Sequence, residues 1–166
     1  MIPVEQKTLP HGDAGAYTTL REMKRLVVES MKDPVVLEEA KRVIRSAGGK
    51  NRFSQAHTIA AHMQSVMHFV RDPYQIETLH TPRYMIDRYI PHGIFEADCD
   101  DYAILSAALA KAVGLKTVFV IMGFLDSRAP WAHVFTMAET ERGWVPFDVS
   151  FGIPPGVLSR RAYYDV

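Results

Sequence analysis

The order of patterns along the chain predicts an α+β fold, with helices first and an antiparallel sheet after them. Three observations carry this. Apolar residues recur at helical spacing from Thr19 to about Val113, the period then drops to two between Lys116 and Val149, and the helix just before that change starts at Cys99, the single cysteine. That helix is greasy over a broad face, with Ala103, Leu105, Ala108, Leu109 and Ala112, so it is expected at the centre of the fold.

Composition narrows the function classes. At 166 residues the chain can bury a core without staples and is expected to form one compact domain. Its 19 basic and 19 acidic residues cancel, and the pair Arg160-Arg161 is too short to make a basic patch, which argues against nucleic-acid binding. The longest apolar stretch, from Thr117 to Leu125, is about half of the roughly 18 residues a membrane span requires. There is no charged-then-apolar leader pattern, so synthesis in the cytoplasm is the expectation. One cysteine rules out an internal disulfide.

Residues 1–15 hold prolines and glycines without periodicity and read as an extended arm or strap. Thr19-Leu20-Arg21-Glu22 has the form of a capping box opening a helix to about Met31. Asp33-Pro34, an N-cap followed by proline at the first helical position, restarts the pattern. Val36, Ala40, Val43, Ile44 and Ala47 then share a face until Gly48-Gly49. Gly48-Gly49-Lys50 is no phosphate loop, because the earlier glycine and the following Ser or Thr are missing. Ser54 is the expected cap of a third helix, whose stripe of Ile59, Met63, Val66, Met67 and Val70 ends at Asp72-Pro73.

That helix carries His57, His62 and His68, which suggests a metal site only until geometry is applied. His57 and His68 would lie about 16 Å apart along the axis, and His62 points elsewhere, so these are expected to be packing or surface residues. Residues 74–81 read as loop or short extended chain, and Pro82 to Tyr89 as a brief helix closed by Pro91 and Gly93.

After Val113-Gly114, Lys116 to Met122 is a β-branched, apolar strand expected to be buried on both faces. Gly123 to Pro130 reads as a loop. Trp131 to Met137 forms a second strand, and Glu141-Arg142-Gly143 a hairpin turn into Trp144 to Val149, where Pro146 predicts an edge or a bulge. The tail from Gly152 shows no element before Leu158 to Tyr163. Trp131 and Trp144 are expected in the core or in a pocket wall.

The chemistry-bearing residues fall in these last elements. A thiol at a helix start gains from the positive end of the helix dipole, although Asp98, Asp100 and Asp101 push its pKa upward. Asp100 and Asp101 are expected as helix-start charges, with Asp101 also able to anchor the neighbouring loop. A divalent metal held by Asp98, Asp100 and Asp101 with Cys99 is disfavoured, because consecutive helical residues point about 100° apart. His133 sits mid-strand among apolar neighbours, where it needs a hydrogen-bond partner. Asp148, at the end of the next strand, can approach its ring. Cys99, His133 and Asp148 are thus the parts of a thiol, imidazole and carboxylate triad.

At these residues the chain resembles the transglutaminase-like superfamily, whose core is related to the papain fold. Asp98-Cys99-Asp100-Asp101-Tyr102, with Leu105, Leu109 and Gly114-Leu115, is similar to its cysteine-helix signature. Ala132-His133-Val134 resembles the histidine strand, and Gly143 to Asp148 the acidic strand. The segments from Phe69 to Pro73 and from Glu77 to Pro82 resemble the lead-in of small members encoded by tailed bacteriophages and prophages.

The resemblance covers Ser54 to Val149 and divides the chain into an arm with two helices (1–53), a transglutaminase-like core (54–151) and a tail (152–166). It implies a cysteine-bearing helix packed on an antiparallel sheet, and acyl transfer on amide or isopeptide bonds by Cys99, His133 and Asp148, without metal or organic cofactor. Partners to expect are a peptide or protein amide, cell-wall peptide included, and phage structural proteins. The alternative it implies is a virion or tail-associated module with a vestigial triad. Two positions depart from the family pattern: Ala97 stands where glycine is usual, and Val149-Ser150 follow the acid. The backbone amide of Cys99 is the expected first oxyanion donor, with Tyr74, Gln75 and His92 as candidates for a second.

Overall fold

A computed structural model gives the structure of the protein at residues 5–7, 13–48, 50–72, 77–124, 132–148, 157 and 162–165. A short strand β1 (Glu5–Lys7) precedes helix α1 (Asp13–Ser30). The capping box expected at Thr19 does not start this helix. Thr19 lies buried inside α1, and Glu22, its would-be partner, instead takes Arg25 at 2.9 Å. The Thr-x-x-Glu spelling also arises wherever a threonine on the buried face precedes a surface acid by three residues.

Helix α2 (Pro34–Arg45) begins as expected, Asp33 accepting the amide of Val35 at 2.8 Å with Pro34 in the first turn. It ends on Ser46, just short of the glycines. Helix α3 (Arg52–Val66) is capped by Asn51, whose side chain accepts the amide of Ser54 at 2.8 Å, so Ser54 belongs to the first turn and is not the cap.

The sequence pattern overextends α3 at its other end. The stripe continues in spelling through Met67 and Val70, but Met67–Phe69 form a strand, β2, parallel to β4 (Phe95–Ala97). The amide of Val70 prolongs that pairing onto the carbonyl of Ala97 at 2.8 Å, and its side chain is exposed. Ladder bonds to a segment far along the chain override local periodicity here. His68 therefore sits on a strand, away from the helix that carries His57 and His62.

Strand β3 (Glu77–Leu79) pairs antiparallel with β1, which gives the N-terminal arm its seat. Helix α4 (Pro82–His92) starts at Thr81, whose hydroxyl accepts the amide of Tyr84 at 3.2 Å, and stops at Gly93, held at φ +85°. Helix α5 (Cys99–Ala112) follows β4 directly.

Every residue of α5 from Asp100 to Ala110 is buried, so the helix is enclosed all round, beyond the single face its pattern suggested. Helices α1, α2, α3 and α4 cover one side. The other side meets a sheet whose order among the described residues is β7-β6-β5-β8, all neighbours antiparallel. Its members are β5 (Thr117–Phe124), β6 (His133–Thr140), β7 (Gly143–Pro146) and β8 (Ala162–Asp165).

Period-two alternation on β6 sends Val134, Thr136 and Ala138 toward α5. Phe135 packs on the far side with Val120 and Met122. The small side chains Ala103, Ser106 and Ala107 let the sheet approach closely enough for the hydroxyl of Thr136 to reach the carbonyl of Ala103 at 2.8 Å. Thr136 is fully buried. Thr136→Val keeps the shape and removes this bond, so a loss of about 1 kcal/mol is expected, or roughly 2–4 °C in melting temperature. A variant melting with the wild type would show that the bond contributes nothing.

Strand β7 lies at the sheet edge, where Pro146 is tolerated. Trp144 on it is about half exposed, which corrects the expectation of a core or wall position. Trp131 falls outside the described residues. In β5, among the residues whose burial is described, Val120 to Gly123 are buried, while Thr117 to Phe119 keep partial solvent contact, which corrects the expectation of a strand buried throughout. The strand also continues through Gly123 and Phe124, expected as loop, since β8 adds its ladder there. The hairpin turn at Glu141-Arg142 docks on α3: Arg142 stacks over the ring of Phe53 at 4.5 Å, and Glu141 accepts the amide of Phe53 at 3.3 Å.

Candidate active site

Four short segments converge where α5 begins. Ala97 closes β4 as a buried strand residue, so its methyl group sits in the core and the position needs no glycine conformation. Asp98 then turns the chain into the helix with extended backbone angles, its carboxylate accepting the amide of Asp100 at 3.1 Å. Cys99 is the first helical residue. Its own amide belongs to a first turn whose N–H groups have no acceptor within the helix, the condition for an oxyanion donor.

Cys99 as a residue is partly exposed, while its sulfur is closely surrounded by protein. It donates to Asp100 Oδ1 at 3.6 Å and accepts the backbone N–H of Val134. That amide adjoins His133 in sequence, so the sulfur meets the histidine strand at its first residues. The ring of His133 is buried, as is Asp148, and Nε2 faces Asp148 Oδ1 at 2.8 Å. The ring lies beside that of Phe135, centroids 6.1 Å apart. The imidazole and carboxylate expected to meet across the hairpin therefore do so, with the residues after β7 carrying Asp148 inward. Phe147 is fixed there by its amide on the carbonyl of Thr136 at 2.7 Å.

The electrostatics of the thiol are less favourable than a helix start alone suggests. Burial pushes the Cys99 thiol well up, the charges of Asp100 and Asp98 push it further, and the Val134 amide only partly opposes them. The resting group is a neutral thiol. An apparent pKa below the ordinary value, the expectation for an activated nucleophile, is not what this resting geometry produces.

The other residues singled out in the sequence divide clearly. Asp101 is buried and holds the segment before α4, its oxygens taking both the backbone N–H and the ring of His80. His62 faces Glu39 at 3.2 Å and Tyr89 at 3.3 Å, and His57 packs on Phe53 at 4.4 Å, so both are packing residues. An open groove of about 640 Å³ along α3 touches both but none of Cys99, His133 or Asp148. Tyr74 and Gln75 fall outside the described residues, and His92 is exposed in the last turn of α4. Ligand atoms of Asp98, Cys99 and Asp100 lie within 4.8 Å of one another, closer than the helical spacing predicted. The reason is that Asp98 is a cap with non-helical angles, so the 100° rule does not apply to it. Acidic caps gather in this way without a metal, and no ion site is assigned.

Sequence reasoning missed one cluster, on α2. Glu39 is 3% exposed and binds Arg42 through two contacts of 2.6 Å and the hydroxyl of Tyr89 at 2.6 Å, joining α2, α3 and α4. The signal was present: Glu39 stands three residues after Val36 and four before Val43, on the apolar stripe.

A cysteine-led helix seated on an antiparallel sheet, with a histidine-carboxylate pair at the near end of that sheet, is the arrangement of papain-like cysteine hydrolase folds. The sequence matches the transglutaminase-like superfamily over residues 39–149, and the chain belongs to that superfamily. The match begins within α2, earlier than the resemblance read from Ser54. Among solved structures, a candidate protease from Parabacteroides distasonis superposes with a TM-score of 0.57 at 13% identity over 86% of this chain and 30% of its own. A candidate cysteine protease from Cytophaga hutchinsonii gives 0.51 at 13% identity, over 87% of this chain and 51% of its own. The chain thus spans about a third to a half of these two proteins, and the likeness is one of fold. No curated protein sequence matches it. Among the described residues no helix is long and apolar enough to cross a membrane.

Proposed function

We propose that the protein is a cysteine-dependent acyl-transfer enzyme acting on amide or isopeptide bonds, either a peptidase or amidase, or a transamidase. The observation that carries this reading is the seating of the Cys99 sulfur on the Val134 amide, one residue from a buried His133 paired with Asp148. In this reading Asp148 fixes the ring through Nε2, which makes Nδ1 the nitrogen that takes the thiol proton. The sulfur attacks the carbonyl carbon, the S–C bond forms, and the oxyanion rests on the Cys99 amide. The imidazolium returns its proton to the departing nitrogen as the C–N bond breaks, leaving a thioester. Water or an amine then attacks the thioester and releases the thiol, with His133 taking and returning the proton again.

Burial and the acids beside Cys99 disfavour its thiolate, so in this reading His133 is needed to take the thiol proton. The phage-like lead-in segments suggest a protein that acts in or with a phage particle, on cell-wall peptide or on neighbouring particle proteins. A second reading is a particle-borne structural module with an idle triad, favoured by the surroundings of the thiol, where burial and the charges of Asp100 and Asp98 disfavour its ionisation.

The two separate on trapping. Incubation with cell-wall peptides and with partner proteins, acid quench and mass spectrometry of the Cys99 peptide should show an acyl adduct in wild type and none in Cys99→Ala. A folded protein giving no adduct from either pool would overturn the enzymatic reading in favour of the idle module.

A further inference from the structure

The triad reading leaves one pair at the start of α5 unused. Asp101, two residues after Cys99, is 2% exposed, and its two oxygens grip a single residue. Oδ1 accepts the backbone N–H of His80 at 2.8 Å, and Oδ2 faces ring Nδ1 at 2.6 Å. The ring of His80 lies flat on Tyr84, centroids 5.2 Å apart and 8° from parallel, and meets the ring of Phe95 edge-on at 5.2 Å. The guanidinium of Arg88 covers Tyr84 at 5.1 Å. The charges that act on the ring come from Asp101 and Asp98 at the start of α5 and from Asp72 after β2. Thus α4 and β4 supply aromatic walls, while three acids come from elsewhere.

Burial alone would discharge such a ring, but the hydrogen bond and charge of Asp101, followed by Asp72 and Asp98, outweigh it and raise the His80 pKa. Asp98 is common to both groups. It raises the thiol of Cys99, and it attracts the imidazolium of His80. A cation placed against this acidic helix start opposes the very charges that disfavour a thiolate.

We propose that His80, pinned by Asp101 as an imidazolium, is a positioning residue for Cys99: it fastens the start of α5 to the segment entering α4 and supplies the countercharge that offsets the acids around the thiol. The proposal rests on Cys99 being the nucleophile. By linkage, the pair's contribution to stability is complete below about pH 6.5, the ring's unfolded value, and is lost as pH rises through its higher folded value.

His80→Asn separates charge from structure, since the amide nitrogen can replace Nδ1 as donor to Asp101 while remaining neutral. The readout is the rate of Cys99 alkylation by iodoacetamide against pH, together with the melting temperature. The expected result is a melting point near that of the wild type, with the alkylation curve displaced to higher pH by about half to one pKa unit. The rate at pH 7 should fall roughly three- to tenfold. A wild-type curve in a folded His80→Asn protein would overturn the proposal.

Should that variant not fold, titration of the His80 ring by NMR in the wild-type chain decides the matter. A midpoint above 6.5 supports the proposal, and one at or below 6.5 overturns it. Neither readout needs a substrate. Failure of acyl trapping would therefore sink the enzymatic reading alone, while an unmoved alkylation curve in His80→Asn would sink only this pair.

Discussion

Replacing His133 with glutamine is expected to reduce acyl transfer by about 10⁴-fold or more, as much as removing the thiol in Cys99→Ala. The size follows from the resting state of Cys99. A helix-start thiol that ionised by itself would retain part of its nucleophilicity without a base. This thiol is held up by burial and by Asp100 and Asp98, so on the proposed mechanism it depends on His133 to take its proton. Glutamine is the informative replacement because its side-chain amide can still donate to Asp148 and fill the buried site, yet cannot carry a proton. His133→Ala would leave the Asp148 charge without the ring in a closed space, mixing a folding defect with a chemical one. The double variant Cys99→Ala/His133→Gln should be no worse than either single one, because the groups act as a unit. Turnover of the trapped substrate, measured beside circular dichroism, checks this. A His133→Gln enzyme within tenfold of wild type would mean that another base serves Cys99.

The contact between His133 and Asp148 was more legible in the sequence than the ends of the helices. His133 and Asp148 carry side chains that are costly to bury without partners, and Cys99 opens the helix just before the period changes. Segment boundaries were misread for physical reasons particular to each. Thr19 spells a capping box but is a buried helical residue, since three-residue spacing is common to caps and to helix faces. Met67 to Phe69 continue the stripe of α3 but join β4, and a three-residue parallel ladder leaves no local pattern to detect. Helices α1 and α2, which the resemblance left outside the core, pack on α5 within the same apolar cluster as the sheet residues Val134 and Ala138. The thiol's electrostatics were legible in sign, through the acids beside it. Their balance also depended on burial and on the Val134 amide, which only folding brings near.

Glu39→Ala is expected to cost about 1–3 kcal/mol, which for a chain of this size is on the order of 5 °C in melting temperature. Removing the carboxylate takes away the acceptor 2.6 Å from the Tyr89 hydroxyl, leaving it only the longer contact to His62 at 3.3 Å, and withdraws a partner of His62 and Arg42. Tyr89 is the part most firmly committed, since burial and the bond to Glu39 push its hydroxyl pKa far up, so it stays protonated and donates to Glu39. Arg42 is about half exposed and can turn to water, so the loss should come mainly from the Tyr89 side of the cluster.

The double variant Glu39→Ala/Tyr89→Phe removes donor and acceptor together and should recover part of the loss. The pH dependence supplies an independent sign. Burial opposes ionisation of Glu39, but hydrogen bonds from Arg42, His62 and Tyr89 overcome it and hold the carboxyl well below the usual range. Its contribution is therefore present above the unfolded carboxyl value, near 4.3, and lost as pH falls toward the folded one. In urea titrations, the stability gap between wild type and Glu39→Ala should be constant from pH 7 to 5. Below that it should narrow by about 1.4 kcal/mol per pH unit. A gap that stays unchanged down to pH 3 would show that Glu39 is not held as the buried anion joining α2, α3 and α4.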